Sequence, residues 1–458
     1  MTEQLSKEIK ERVEGYRELL LERLGELVAI PSTEGKPESD APFGREPKRA
    51  LEAALKMCEA DGFRTKNVDN YAGYAEMGEG EQLIGVIGHL DVVPAAEGDG
   101  WDSDPFTMTE RDGVLYGRGV ADDKGAVVAS MISMKVLKDM GIPLTKRVRL
   151  IMGTNEETGS RCLEYYVQKE GHVDYGFTPD GDFPLVYGEK GMIRAKYEAN
   201  TQILSIEGGA ASNIVCGKVK AAFVPGTLPE EKLASYFGKN GIRFELTKSG
   251  DADSLTVFGK TAHASTPELG VNAIAYLFAG LKDVGFADPL VDFYCGHIGT
   301  ATDGNGLFGE VRDEYGALTL NTGVIKGKNG AAEGTIDIRF PVTMSAEQIL
   351  ALAEGKLSDA NGQITITGTT EPLFFSPESD LVKSLAESYV EVTGDTVNKP
   401  MTIGGGTYAK EIHNTVAFGC AFPGIDYHLH DNNEWVRIDE LLLQAEIYVH
   451  GILKLLEV

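Results

Sequence analysis

The apolar run L-I-G-V-I-G, residues 83–88, stops at His89, and a short bounded run of this kind predicts a buried strand of a largely parallel sheet covered by helices on both faces. His89 and Asp91 fall at its carboxyl end. Side chains that alternate at a period of two would point both residues to one side, so the carboxylate could hydrogen-bond one imidazole nitrogen while the other nitrogen binds a metal. Two further apolar runs end at acids, Val148 to Met152 before T-N-E-E-T-G and Tyr175 to Asp180 in Y-G-F-T-P-D. Ligands of open α/β sheets collect beyond the carboxyl ends of strands, so the three acidic ends are expected to converge on one crevice.

Helical spacing surrounds these strands. Residues 4–29 carry Leu19, Leu20, Leu24 and Leu27 on one face before Pro31, Lys48 to Asp61 precedes Gly62, and Ala126 to Met140 precedes Gly141 and Pro143. From Gly191 the texture changes to short alternating runs, Met192–Tyr197, Ser254–Val257, Thr335–Ile338 and Ile364–Ile366, with a helical stretch at Val271 to Leu281. The first texture returns with a helix at Leu381 to Thr393, a G-G-G-T-Y turn at 404–408 that opens another, a buried strand at Val416 to Phe422 and a last helix at Asp439 to Leu456. The expected fold class is α/β: a discontinuous catalytic domain (1–189 and 375–458) with a mixed, largely parallel sheet flanked by helices, plus an inserted α+β lid domain (190–374).

Charge narrows the partners. Lys and Arg number 43 against 70 Asp and Glu, a net charge of −27 that repels nucleic acid and anionic membrane surfaces. The first residues, M-T-E-Q-L-S-K-E-I-K-E-R, lack the pattern of a secretory signal, and no apolar span reaches transmembrane length, which makes the cytoplasm the expected compartment. Five scattered cysteines without a C-x-x-C pair point to reduced, mostly buried thiols rather than a disulfide framework or a zinc ribbon.

G-H-L-D-V-V-P at 88–94, W-D-S-D-P-F at 101–106, Y-G-R-G-V-A-D-D-K-G at 116–125, N-E-E-T-G at 155–159, P-D-G at 179–181 and H-D-N-N-E-W at 430–435 follow one another in order. This ordered set resembles the co-catalytic zinc metallopeptidases related to aminoacylase and glutamate carboxypeptidase, and within them the dipeptidase V branch of Xaa-His, carnosinase-like dipeptidases. The resemblance implies two Zn²⁺ per chain, with Mn²⁺ or Co²⁺ as substitutes. His89 would bind one ion and His430 the other, Asp122 would bridge them through a cis Asp122–Asp123 peptide, and Glu157 and Asp180 would complete the two sets. Asp91 would hold the His89 tautomer, and Glu156 would take the proton of the attacking water.

In F-G-K-T-A-H-A-S-T-P, His263 matches the family's lid histidine, implied to stabilise the oxyanion. Asn213 and Arg339 match lid residues implied to contact substrate, and Arg339 suits a bidentate grip on a carboxylate. Gly404, Gly405, Gly406 and Thr407, opening a helix, would offer bare N–H groups to a free carboxylate. The implied substrates are short peptides, mainly dipeptides, with the use of β-alanyl dipeptides such as carnosine left open by the resemblance, cut by a monomer, since the insert of about 185 residues exceeds a single small lid. An N-acyl amino acid deacylase of the same fold is the neighbouring alternative. Asp at position 180 resembles the dipeptidase and aminopeptidase members, whereas Glu is usual in several carboxypeptidase and desuccinylase members. A metal-dependent binding protein without catalysis is a third, opposed by the presence of Glu156 beside Glu157.

Overall fold

A computed structural model describes residues 2–96, 98 and 100–458, and these divide into two compact units. The first comprises Met1–Gly188, Phe375–Met401 and Gly406–Val458; the second comprises Glu189–Phe374 and Thr402–Gly405. In chain order the first unit opens with α1 (Glu3–Glu14), α2 (Arg17–Val28), α3 (Arg45–Ala60), β1 (Arg64–Val68), β2 (Ala72–Met77), β3 (Leu83–His89), β4 (Thr109–Arg111) and β5 (Val114–Tyr116). It continues with α4 (Lys124–Asp139), β6 (Arg147–Gly153), α5 (Arg161–Glu170), β7 (Tyr175–Thr178) and β8 (Val186–Glu189). The returning chain adds helices Asp380–Thr393 and Ile438–Glu457 and the strands Thr415–Ala417 and Trp435–Arg437.

β3 is buried at every position, as its unbroken apolar run requires. It lies inside a mixed sheet ordered β1, β2, β6, β3, β7, Thr415–Ala417, β8. The pairings of β6 with β3, β3 with β7 and β7 with Thr415–Ala417 are parallel, and the outer ones are antiparallel. Leu83 and Ile87 join a core with Cys162, Leu163 and Tyr166 of α5, while on the opposite face the Cα of Gly88 meets Val127 of α4. The parallel register of β3 and β6 sets His89 beside Gly153, so both strands release their loops at the same edge.

Three elements depart from the sequence pattern. Residues 4–29 form two helices, because Gly15 caps α1 with its N–H on Glu11 and Val13 and Tyr16 leaves helical geometry at φ −97°, ψ 10°. The Tyr16 hydroxyl donates to Asp139 of α4, which pins the break. The turn at 404–408 opens no helix beyond a single 3₁₀ turn, Tyr408–Lys410, and the strand expected over 416–422 is only Thr415–Ala417.

The second unit is an α+β body. Its antiparallel sheet runs Arg243–Thr247, Asp253–Phe258, Lys218–Phe223, Ser205–Gly208, Ile325–Lys328, Ala331–Phe340, Gly191–Asn200, Gly362–Thr370. Along Gly191–Asn200 every second residue is buried, the signature of a strand with one face on a core. That core includes Leu277 and Phe278 of helix Ala273–Asp283 and Phe293 and Tyr294 of helix Pro289–His297. Among the described residues no helix is long and apolar enough to cross a membrane, and all five cysteines are free thiols, four of them buried.

Candidate metal centre

His89 is the last residue of β3, and its ring is oriented by main chain. Nδ1 lies 2.9 Å from the Asp91 carbonyl oxygen, which can only accept, so Nδ1 carries the ring proton. The Nε2 lone pair then faces Asp122 Oδ1 at 3.0 Å and Asp180 Oδ2 at 3.8 Å. His430, in the left-handed region at φ 61°, brings its Nε2 to 2.9 Å from Asp122 Oδ2 and 3.1 Å from Glu157 Oε2. Each oxygen of Asp122 thus meets a different imidazole. The Asp122–Asp123 peptide is cis, as the family pattern implies.

Asp91 acts otherwise than strand alternation predicts. The strand ends at His89, and it is the Asp91 carbonyl that takes the imidazole proton, while its carboxylate stands 3.5 Å from Nδ1. That carboxylate accepts the N–H of Glu156 at 3.0 Å and of Glu157 at 3.1 Å. One residue therefore orients the His89 ring through its main chain and the two consecutive glutamates through its side chain.

Negative charge is in excess. Burial lowers the His89 pKa, but the carboxylates of Asp122 and Asp91, as acceptors for its ring nitrogens, carry it well above the usual histidine value. Burial, reinforced by the charge of Asp180, pushes Glu156 up, and burial with the charge of Asp122 takes Asp180 to about 7. Asp123, its neighbour in the loop, accepts the His89 N–H with Oδ2 at 2.9 Å, while its Oδ1 is buried without a hydrogen-bond partner among the described residues. Carboxylates gathered within about 3 Å of two imidazoles need positive charge among them, supplied by ring protons or by metal ions. Imidazole nitrogens and carboxylate oxygens without thiolate suit divalent metal ions, and among the described residues two groups lie close enough to hold one, His89 with Glu156 and Asp180 and His89 with Asp122 and Glu157, with His430 beside the second through Asp122 and Glu157.

A residue given no role from the sequence locks this arrangement. Glu434, fully buried, accepts N–H groups of Gly119 (3.1 Å), Ala121 (2.9 Å) and Asp122 (3.1 Å) and the Arg118 guanidinium at 2.8 Å. It stands four residues beyond His430 and thereby ties that ligand's segment to the Asp122 loop. Trp435–Arg437 pairs with β5 alongside, and Arg118 lies 5.2 Å over the Trp101 ring. Gly88 is required on the other side, since a Cβ there would stand 2.6 Å from Asp123 Oδ2. The H-D-N-N-E-W string contains Glu434, but nothing in a sequence marks an acid as facing main-chain amides.

The remaining candidates divide between the units. In the second unit the Asn213 carbonyl accepts the Ala264 N–H at 2.8 Å and Ile214 bridges His263, so Asn213 and His263 are neighbours, both exposed. Arg339 is buried there, and the bidentate grip expected on a substrate is made on Asp337, at 2.6 and 3.0 Å, with Nη1 donating to Gly404 O at 3.0 Å. Gly405 belongs to the same unit, while Gly406 and Thr407 belong to the first. The Thr407 hydroxyl accepts the Ala409 N–H, so the expected helix terminus with bare amides is replaced by a capped 3₁₀ turn. Among histidines without a motif, His172 and His413 stack at 3.6 Å, and His297 pairs with Asp359 at 3.0 Å.

The chain is 37% identical over 437 residues to "Putative dipeptidase YtjP" of Bacillus subtilis (strain 168), covering 90% of this chain and 92% of that protein. It is 32% identical over 463 residues to a "Putative dipeptidase" of Staphylococcus epidermidis (strain ATCC 12228 / FDA PCI 1200), covering 97% and 98%. In fold it resembles human carnosine dipeptidase 1 (TM-score 0.61, 18% identity, 99% of each chain) and the di-peptidase Dug1p of Saccharomyces cerevisiae (TM-score 0.61, 16% identity, 100% of each chain). The model of peptidase family M20/M25/M40 matches residues 85–454, and the chain belongs to that family of peptide hydrolases.

Proposed function

We propose that the protein is a di-zinc dipeptidase, and the observation that carries this reading is the placement of one imidazole nitrogen against each oxygen of Asp122. His89 and Asp180 would hold one ion, His430 and Glu157 the other, with Asp122 shared. When bound, two such ions supply Lewis acidity, polarising the scissile carbonyl and making a water easier to deprotonate. Glu156, held by the Asp91 carboxylate through its N–H, takes the proton of the attacking water. The water oxygen bonds to the carbonyl carbon, and Glu156 returns the proton to the amine nitrogen as the C–N bond breaks. His263 is assigned to the oxyanion, with Asn213 beside it at the substrate.

Mn²⁺ or Co²⁺ would fit the same mixed nitrogen and oxygen donors. The chain works as a monomer, a reading supported by the second unit's one continuous sheet, in which Ser205–Gly208 pairs Ile325–Lys328 and joins its two halves. Five free thiols support the cytoplasm as its compartment. A panel of dipeptides, β-alanyl dipeptides such as carnosine, tripeptides and N-acyl amino acids, assayed with the zinc, manganese and cobalt forms, tests the proposal. Cleavage of dipeptides supports it. Preference for N-acyl amino acids would replace it with a deacylase, and metal binding without turnover on any substrate would leave a binding protein.

A further inference from the structure

We infer that Ser265 is a positioning residue that fixes His263 in the tautomer bearing its proton on Nε2; the inference rests on the oxyanion role proposed above. The Ser265 main-chain N–H lies 3.2 Å from His263 Nδ1, and its hydroxyl oxygen lies 2.7 Å from the same atom. A main-chain amide has only a proton to offer, so Nδ1 must present its lone pair. A neutral imidazole with an unprotonated Nδ1 carries its proton on Nε2. That is the form the role demands, because an oxyanion is stabilised by a donor and repelled by a lone pair.

The turn that makes these contacts is held from behind. The Thr266 N–H donates to the His263 carbonyl at 3.1 Å, and the Ala264 N–H donates to the Asn213 carbonyl at 2.8 Å. Gly404 packs so closely that a Cβ on it would stand 2.4 Å from the Cβ of Ser265. Its carbonyl takes Arg339 Nη1 at 3.0 Å, and Arg339 is itself gripped by Asp337. Arg339 and Gly404 thus gain a role within the second unit: they form the wall against which Ser265 is seated, and Ser265 in turn sets the ring.

Nitrogen-15 NMR of the full chain labelled at histidine, with His263→Gln identifying the resonances, reads the tautomer directly. A pyridine-type shift at Nδ1 and a pyrrole-type shift at Nε2 are expected for His263. Ser265→Ala, which loses the shorter hydroxyl contact at 2.7 Å and leaves only the longer amide contact at 3.2 Å, should weaken the tautomer preference and lower kcat about tenfold at unchanged KM, a fraction of the roughly 10²–10³ that loss of an oxyanion donor costs. Ser265→Thr should restore both readings, and Gly404→Ala, by displacing Ser265, should reproduce the defect. A pyrrole-type shift at Nδ1 in the parent protein, or a Ser265→Ala variant with parental spectrum and kcat, would overturn the inference. Unchanged turnover in His263→Ala would instead remove the oxyanion role, a result the NMR reading does not depend on.

Discussion

In the first unit the Asp91 carbonyl accepts the Nδ1 proton of His89 and turns a lone pair toward Asp122 and Asp180; in the second, the Ser265 amide donates to Nδ1 of His263 and leaves the proton on Nε2. One ring turns a lone pair outward and the other a proton. Their surroundings differ in the same sense. Around His89 buried carboxylates outnumber imidazoles, Asp180 is pushed to about 7, and an oxygen of Asp123 lacks a partner among the described residues. Near Gly404, by contrast, Arg339 and Asp337 neutralise each other with paired hydrogen bonds. An unbalanced cluster of this kind calls for an ion, whereas a balanced one serves to hold other groups in place.

The sharpest way to break the contrast is to remove the carboxylate both imidazoles share. Asp122→Ala should lose both metal ions and bring turnover to background, while His430→Ala should weaken mainly one site. Metal analysis after gel filtration checks this, and an unaltered metal content in Asp122→Ala would remove the assignment of a bridge.

Next comes the division between adjacent glutamates. Glu156→Gln keeps size and hydrogen-bonding capacity but loses basicity, so metal content should stay near parental while kcat falls by about 10²–10⁴. Glu157→Gln should lose metal, because Glu157 faces His430 Nε2 at 3.1 Å. Retention of more than about a tenth of kcat in Glu156→Gln would reassign the base.

The place of both glutamates was legible in the sequence because the strand before them is buried and its apolar run stops just short of them. β3 and β7 are of the same kind. What alternation could not show is where the strand itself stops. β3 ends at His89, after which the Leu90 N–H goes to the Gly153 carbonyl and the Leu90 carbonyl takes the Ser32 hydroxyl, so residues 89 and 91 no longer share a pleat. Asp91 consequently acts through its carbonyl. Glu434 escaped for a related reason, since three of its partners are main-chain amides 312 to 315 residues away, which carry no residue-type signal. In the second unit the alternation of Gly191–Asn200 reads as a half-buried strand, yet the hydrogen bonds that set His263 and occupy Arg339 depend on loop geometry and pairing that no pattern encodes.

Glu434 tests whether the first unit's loops hold their form without a metal. Glu434→Gln keeps the shape but leaves Arg118 buried beside a neutral group, and breaking a buried ion pair of this kind costs about 3–5 kcal/mol. Denaturant unfolding of the metal-free protein should show that loss, together with weaker metal retention. Stability equal to the parent, with metal binding intact, would mean that the Asp122 loop is held by other contacts.

The smallest effect belongs to Trp101, which sharpens the same picture from the far side of Arg118. The guanidinium is 3% exposed and lies 5.2 Å over the indole ring, so the interaction is largely desolvated and is worth about 1–2 kcal/mol. Trp101→Leu should lower stability by about that amount, and Trp101→Phe by less, because phenylalanine offers a weaker negative face. Turnover should stay near parental in both, since Glu434 still holds Arg118 and the Asp122 loop directly. Repeating Trp101→Leu in an Arg118→Met background isolates the pairwise contribution, which should appear as a smaller loss there than in the parent. An equal loss in both backgrounds would show that the ring contributes only its apolar contacts, and that Glu434 alone holds Arg118 in place.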